Sequence, residues 1–245
     1  MAFFGFEHVE DVIKTGRIKD LFTRVTNSYD VMNDVMSVGI HRLWKRSFIN
    51  QLQLKQGDHI LDMASGTGDI AQGIVEAYPF LDIQVTAVDL TESMLKTGHD
   101  RAIDRGILKG ITYNVADAEA LPFADDSFDV YVCAFGLRNV GNLEKALNES
   151  FRVLKPGGRF YCLEFSEVKT PGIKDVYDFY SNTIIPKMGE WIANDAKAYQ
   201  YLVDSIRTFP NQEAFEELLH GAGYAAVRHE NLSCGVTAIH TGMKV

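Results

Sequence analysis

The spacing of apolar positions changes twice along the 245-residue chain, dividing it into three zones. From about residue 10 to 54 apolar side chains recur at helical spacing, as in Val9, Val12 and Ile13 and then Ile18, Leu21, Phe22 and Val25, so this zone predicts a helical lead-in. From 55 to 170 short β-branched runs alternate with helical stretches: strands at 59–64, 83–89, 111–116, 128–135 and 158–165, and helices near 70–78, 93–105 and 143–154. Such alternation predicts a parallel sheet with helices on both faces and right-handed crossovers. Beyond 170 the alternation stops. A helical stretch carrying Tyr177, Tyr180, Trp191, Tyr199 and Tyr201 leads to a last helix at 212–219, stopped by Gly221 and Gly223. Two strand-like runs follow, 225–231 and 236–243, and the four residues between them can join only antiparallel neighbours. The predicted fold class is α/β: a Rossmann-like, doubly wound, mostly parallel seven-stranded sheet finished by an antiparallel C-terminal hairpin strand. Residues 1–245 read as one domain, with a lead-in and substrate cover at 1–54, a ligand-binding core at 55–170, a helical lid or substrate wall at 171–209, and the last helix and hairpin at 210–245.

Composition narrows the class. At this length one α/β domain buries roughly 70% of the surface of its unfolded chain, so it needs no metal or disulfide staple. The net charge of −9 argues against a partner made of nucleic-acid phosphates, which are bound by displacing counterions with Lys and Arg. Cys133, Cys162 and Cys234 are widely spaced, with no C-x-x-C pair, as expected of reduced thiols; neither zinc nor another metal is predicted. The longest apolar run, 130–137, is far short of the ~20 residues that span a bilayer. The first residues show neither the basic region of a signal peptide nor the Arg-rich bias of a transit peptide. The expected location is the cytoplasm.

The sharpest chemical feature is ILDMASGTGDIA at 60–71. A strand ends at Gly66 and Gly68 and a helix begins, so the backbone can turn tightly and approach a ligand at helix-start amides. The spacing G-x-G-x-x-A also fits a dinucleotide fingerprint. Asp89 ends the next strand about 20 residues on, where a carboxylate can accept both hydroxyls of an adenosine ribose. Asp117 ends the third, followed by Ala118 and a segment suited to an adenine edge.

With Asp62 before the glycines, the chain resembles the class I S-adenosylmethionine-dependent methyltransferases, whose first motif has the form D-x-x-x-G-x-G. YDVMNDVMS at 29–37 with His41 and Trp44, RVLKPGGR at 152–159, LEFS at 163–166, FGLRNV at 135–140 and two C-terminal segments, 193–196 and 205–207, resemble signatures of the ubiquinone/menaquinone biosynthesis C-methyltransferase family. Together they cover nearly the whole chain. The resemblance implies S-adenosyl-L-methionine as cofactor, held by Asp62, Gly66, Thr67, Gly68, Asp89, Asp117 and Ala118. It implies as substrate a reduced, polyprenylated benzoquinol or naphthoquinol methylated on a ring carbon. Two positions depart from the pattern: Ser65 stands where relatives often have a second glycine, and Ala134 where some have a serine.

Ring carbon is a poor nucleophile until an adjacent hydroxyl becomes phenolate, so the site needs a proton acceptor, a side chain or water, and donors aimed at the oxyanion. Arg138 and Asn139 follow the fourth strand, facing the expected methyl position. Arg138 can stabilise phenolate but cannot serve as a simple base; the plain alternative is a salt-bridged loop arginine. His41 is the base best matched by intrinsic pKa, although a histidine beside Trp44 is more often packed and hydrogen-bonded. Tyr29 can anchor a ring hydroxyl. A lipid substrate without a membrane span in the enzyme implies transient contact with a membrane surface, with Phe3, Phe4 and Phe6 as candidates, and a peripheral place on the inner membrane face. A second copy of the chain and a complex of quinone-biosynthesis enzymes are both open as partners. Three competing readings are a dinucleotide-dependent oxidoreductase, which lacks its Tyr-x-x-x-Lys pair here, a nucleic-acid methyltransferase, which the charge opposes, and a non-catalytic assembly partner.

Overall fold

The computed structural model describes residues 2–4, 7–25, 34, 37, 39–169, 172 and 196–245. A short antiparallel hairpin, β1 (Ala2–Phe4) and β2 (Glu7–Val9), precedes helix α1 (Asp11–Val25) and then α2 (His41–Gln51). The alternating core follows as β3 (His59–Met63), α3 (Asp69–Ala77), β4 (Gln84–Asp89), α4 (Glu92–Asp104), β5 (Ile111–Val115), β6 (Phe128–Ala134), α5 (Leu143–Val153) and β7 (Leu154–Phe165). Helices α6 (Ala196–Thr208) and α7 (Gln212–Gly221) lead to the hairpin β8 (Ala225–Leu232) and β9 (Thr237–Met243).

Seven strands form one sheet in the order β5-β4-β3-β6-β7-β9-β8. The first five are mutually parallel, whereas β9 runs antiparallel to both β7 and β8. The predicted doubly wound sheet is therefore present. The chain winds outward from β3 to β5, then returns to β6 on the other side of β3, and this reversal opens a crevice at the carboxyl ends of β3 and β6.

Alternation along the central strands explains the two cores. Ile60, Val85, Val130 and Val132 face α2 and α3, where they pack with Phe48 and Ile74. Leu61, Met63, Tyr131 and Cys133 face the other way, against Leu147 of α5 and Phe215 of α7. Both faces are covered, so the strands read as near-continuous apolar runs. Each large side chain buried this way contributes about 1.5–3 kcal/mol, which fixes strand register and with it the positions of the loops. The N-terminal hairpin was absent from the sequence reading because three-residue strands carry too little pattern. It places β1 against α1 and α6.

Candidate active site

The loop after β3 is shaped by backbone conformation. Ala64, Gly66 and Gly68 have φ of 55°, 56° and 82°, in the left-handed region that glycine enters freely and alanine does not. Phe135, at the end of the neighbouring strand β6, also has a positive φ, 59°. Strain at a non-glycine residue costs about 1–3 kcal/mol and tends to collect at functional sites. Gly68 caps α3, and α4 comes close beside it: a Cβ on Gly98 would sit 3.0 Å from the Thr67 carbonyl carbon.

Three carboxylates organise this end of the sheet. Asp62, inside β3, accepts the Ala71 amide on Oδ2 at 3.1 Å, while its buried Oδ1 has no hydrogen-bond partner. Burial pushes its carboxyl up to about 7. Asp89, at the end of β4, accepts the Gly66 amide on Oδ2 at 2.9 Å and the Thr91 amide on Oδ1 at 2.8 Å, which ties the glycine loop to the second strand. Burial raises Asp89 too, against the pull of these amides. Asp117 lies just beyond β5 and accepts the Glu119 amide on Oδ1 at 2.9 Å.

Gly66, Asp89, Asp117 and Ala118 line one wall of a cavity that opens to solvent. Phe135 and Asn139 line the wall beneath β6, and Thr15, Ile18 and Phe22 of α1 cover it. A smaller pocket under the same loop is bounded by Lys45, Asp62, Ser65, Thr67, Asp69 and Ala134. There the Lys45 ammonium lies 2.7 Å from Asp69. Burial pushes Asp69 up, but Lys45 outweighs it and holds the carboxyl below its usual range. The structure thus brings Asp62, Gly66, Thr67, Asp89, Asp117 and Ala118 to one place, with Gly68 acting behind the loop as its turn.

The predicted catalytic residues separate. Asn139 lines the cavity, in a single 3-10 turn (Leu137–Asn139), and its Oδ1 accepts the Tyr201 hydroxyl of α6 at 3.1 Å. That bond leaves the Asn139 amide nitrogen as a donor. Arg138 turns away from the position expected of it and is not among the groups lining the cavity. Its guanidinium lies 2.9 Å from Glu164, with the two side chains 4% and 1% exposed, bonds the Phe135 carbonyl, and sits over the Phe165 ring. The physical reason is pairing: a carboxylate buried in β7 needs a cation, and the adjoining loop supplies it. His41 faces a different cleft, between α2 and α3, with Nδ1 2.7 Å from Ser37 Oγ; burial lowers its pKa. Tyr29, like Trp191 and most of the 171–209 segment, lies outside the described residues. Sequence reasoning missed Glu164 and Lys45 as parts of the site, and placed Tyr201 only in the helical lid or wall. Glu164 and Lys45 carried a readable signal, a lone acid in an apolar strand and a lysine in an acid-free helix.

Residues 10–244 match the ubiE/COQ5 methyltransferase family. The chain belongs to that family. Among curated ubiE/COQ5 relatives, the ubiquinone/menaquinone biosynthesis C-methyltransferase UbiE of Cereibacter sphaeroides is 47% identical over 242 residues, covering 99% of this chain and 96% of the relative. The mitochondrial 2-methoxy-6-polyprenyl-1,4-benzoquinol methylase of Mus musculus is 44% identical over 274 residues, covering 99% and 84%. A SAM-dependent methyltransferase from Thermotoga maritima superposes with a TM-score of 0.63 at 20% identity, covering 92% of this chain and 99% of that one; it shares the fold. Signatures read in the sequence at 29–37 and 152–159 both fall inside the ubiE/COQ5 match.

Proposed function

We propose that this protein methylates a ring carbon of a reduced, polyprenylated benzoquinol or naphthoquinol, with S-adenosyl-L-methionine as methyl donor. The observation that carries the reading is near full-length similarity to relatives named for that reaction, in a chain whose glycine loop and paired acids end at a single cavity. The residues present fit the cofactor. Asp89 offers acceptors for ribose hydroxyls, Ala118 and the backbone after Asp117 suit the adenine, and the unpartnered Asp62 Oδ1 with Ser65 and Thr67 suits the charged amino-acid end. The bound sulfonium supplies an electrophilic methyl group.

The protein's own work is to hold the acceptor ring in line and keep water out. Asn139, oriented by Tyr201, presents its amide N–H groups to the ring oxygen that becomes anionic as its proton passes to water. Arg138, through Glu164, fixes the turn that carries Asn139 and acts as a positioning residue. The α1 roof excludes solvent above the ring. A lipid-tailed substrate makes this a peripheral enzyme of the cytoplasmic membrane face, and no described helix is long and apolar enough to cross a membrane. Labelled-methyl transfer to short-tailed demethyl-benzoquinol and demethyl-naphthoquinol, run side by side, tests the reading. Transfer to at least one ring is expected; none to either overturns it.

A further inference from the structure

Helix α2 is unlike the rest of the chain in charge. Residues 35–57 contain Arg42, Lys45, Arg46 and Lys55 and no Asp or Glu, within a protein of net charge −9. Its inward face is fully used: Trp44 packs on Phe135 and Phe165, with ring centroids 6.3 and 6.1 Å away, and Phe48 is completely buried. Phe135 is itself a wall of the active-site cavity. The first turns of α2 therefore lie at the carboxyl end of the sheet, which Lys45 confirms by reaching Asp69 directly after the glycine loop.

The outward face is apolar and basic at once. Leu43 is 63% exposed and Ile40 42%, and Arg42 and Arg46 stand exposed together on one side of Leu43, with Ile40 on the other. Arg42 pairs with Asp34 at 2.6 Å yet keeps a 68% exposed side chain. Arg42 and Arg46 also line the cleft shared with α3 and α4, where Arg101 and Arg105 add to them and Asp69, Glu76 and Asp104 balance the charge in part. Exposed aliphatic side chains set beside arginines suit an interfacial helix: apolar side chains enter the acyl boundary while arginines stay with the phosphates.

We propose that the outer face of α2 docks this protein on an anionic membrane surface, with Ile40 and Leu43 entering the interface and Arg42 and Arg46 meeting lipid phosphates. The proposal rests on the lipid-quinol reading above and assigns the surface through which that substrate is reached. Charge chooses the orientation. In a molecule of net charge −9, an anionic leaflet repels the whole and favours contact through a face where basic residues collect. That face is the back of the cavity wall, so docking there brings the site to the membrane. Strand β1 is held between α1 and α6, away from this face.

Flotation of the full chain with phosphatidylcholine vesicles, with and without phosphatidylglycerol, tests this. Binding is expected only with phosphatidylglycerol and should weaken as salt rises. A basic charge near such a surface is worth about fivefold in binding, so Arg46→Glu, a change of two units, should weaken it about 25-fold. Leu43→Gln should weaken it about tenfold. Both variants should keep the wild-type melting temperature and the wild-type rate on a short-tailed, water-soluble quinol. If no quinol is methylated but the two variants still lose flotation, the docking surface stands and the substrate reading fails. Wild-type flotation by both variants, equal binding to vesicles lacking phosphatidylglycerol, or loss only on removing residues 1–8 would overturn the proposal.

Discussion

Replacing Arg138 by alanine strands Glu164. The guanidinium lies 2.9 Å from a carboxylate that is 1% exposed, so the substitution leaves an acid inside the sheet without its countercharge. Removing one member of a buried pair costs about 3–5 kcal/mol. In a domain of this length each kcal/mol corresponds to about 2–4 °C of melting temperature, so the fall should be roughly 6–20 °C. The amides of Arg138 and Phe165 still reach Glu164, which favours the lower half of that range. The loss should also depend on pH. Burial raises Glu164 even with Arg138 present, and removing the cation raises it further. A folded-state value above the unfolded one means that stability is fully present below the ordinary glutamate range and is lost as pH climbs through the raised value. The deficit against wild type should therefore be small at about pH 5 and larger at about pH 8. Calorimetric melting at the two pH values measures it, and Arg138→Met combined with Glu164→Gln should recover most of the loss. Single-turnover methyl transfer at saturating cofactor separates positioning from contact. Its rate per folded molecule should fall by less than the ~10²–10³ that accompanies loss of a transition-state donor. A variant that melts within about 2 °C of wild type at both pH values would refute the buried-pair reasoning. If its rate also fell by the full factor, Arg138 would return to direct contact with the phenolate.

Asp89→Ala removes an acceptor from the cofactor and from the Gly66 and Thr91 amides together, so calorimetric titration should show S-adenosylmethionine binding weakened by about 1–3 kcal/mol; unchanged affinity would count against the ribose assignment. Tyr201→Phe frees the Asn139 carboxamide and should lower kcat by about 10- to 100-fold with cofactor affinity intact. Adding Asn139→Ala to that variant should cost little more if the two act as one unit. Asp62, pushed up to about 7, contributes stability that is fully present below its unfolded value, about 3.9, and lost as pH rises through 7. The cofactor-free melting temperature should therefore decline between about pH 4 and pH 7 and level off above that, and Asp62→Asn should flatten the decline. An equally steep decline in the variant would assign the pH dependence elsewhere.

The parts of this molecule that could be read from sequence are those whose partners lie within one or two elements. The glycine loop is such a case: Gly66 and Gly68 turn the chain, Asp62 meets Ala71 nine positions on, and Asp89 returns to Gly66 from the neighbouring strand. Hydrophobic period marked every strand of the large sheet, and a four-residue connection was enough to predict the antiparallel pairing of β8 and β9. The order of β9 and β8 was not readable, because their short connection fixes their pairing but not which of them meets β7. Nor was the hairpin Ala2–Val9, whose strands are too short to show a period.

The substrate half of the site is assembled differently, and the difference explains the misplaced expectations. Arg138 and Asn139 are adjacent in a motif, so both seemed to face the ligand; in one 3-10 turn, adjacent side chains point about a third of a revolution apart. One therefore meets Glu164, 26 residues away, and the other Tyr201, 62 residues away. His41 is the best base by intrinsic pKa, yet burial beside Lys45 lowers it, and its ring is held by Ser37 in a cleft that Asp89 does not line. In each case the deciding partner came from an element that local pattern could not bring near. The cofactor loop works with any acceptor ring and can be encoded locally. On the function proposed above, selectivity for a lipid quinol would rest on α1, α6 and the turn after β6, through pairs such as Asn139 and Tyr201 that exist only once the sheet has closed.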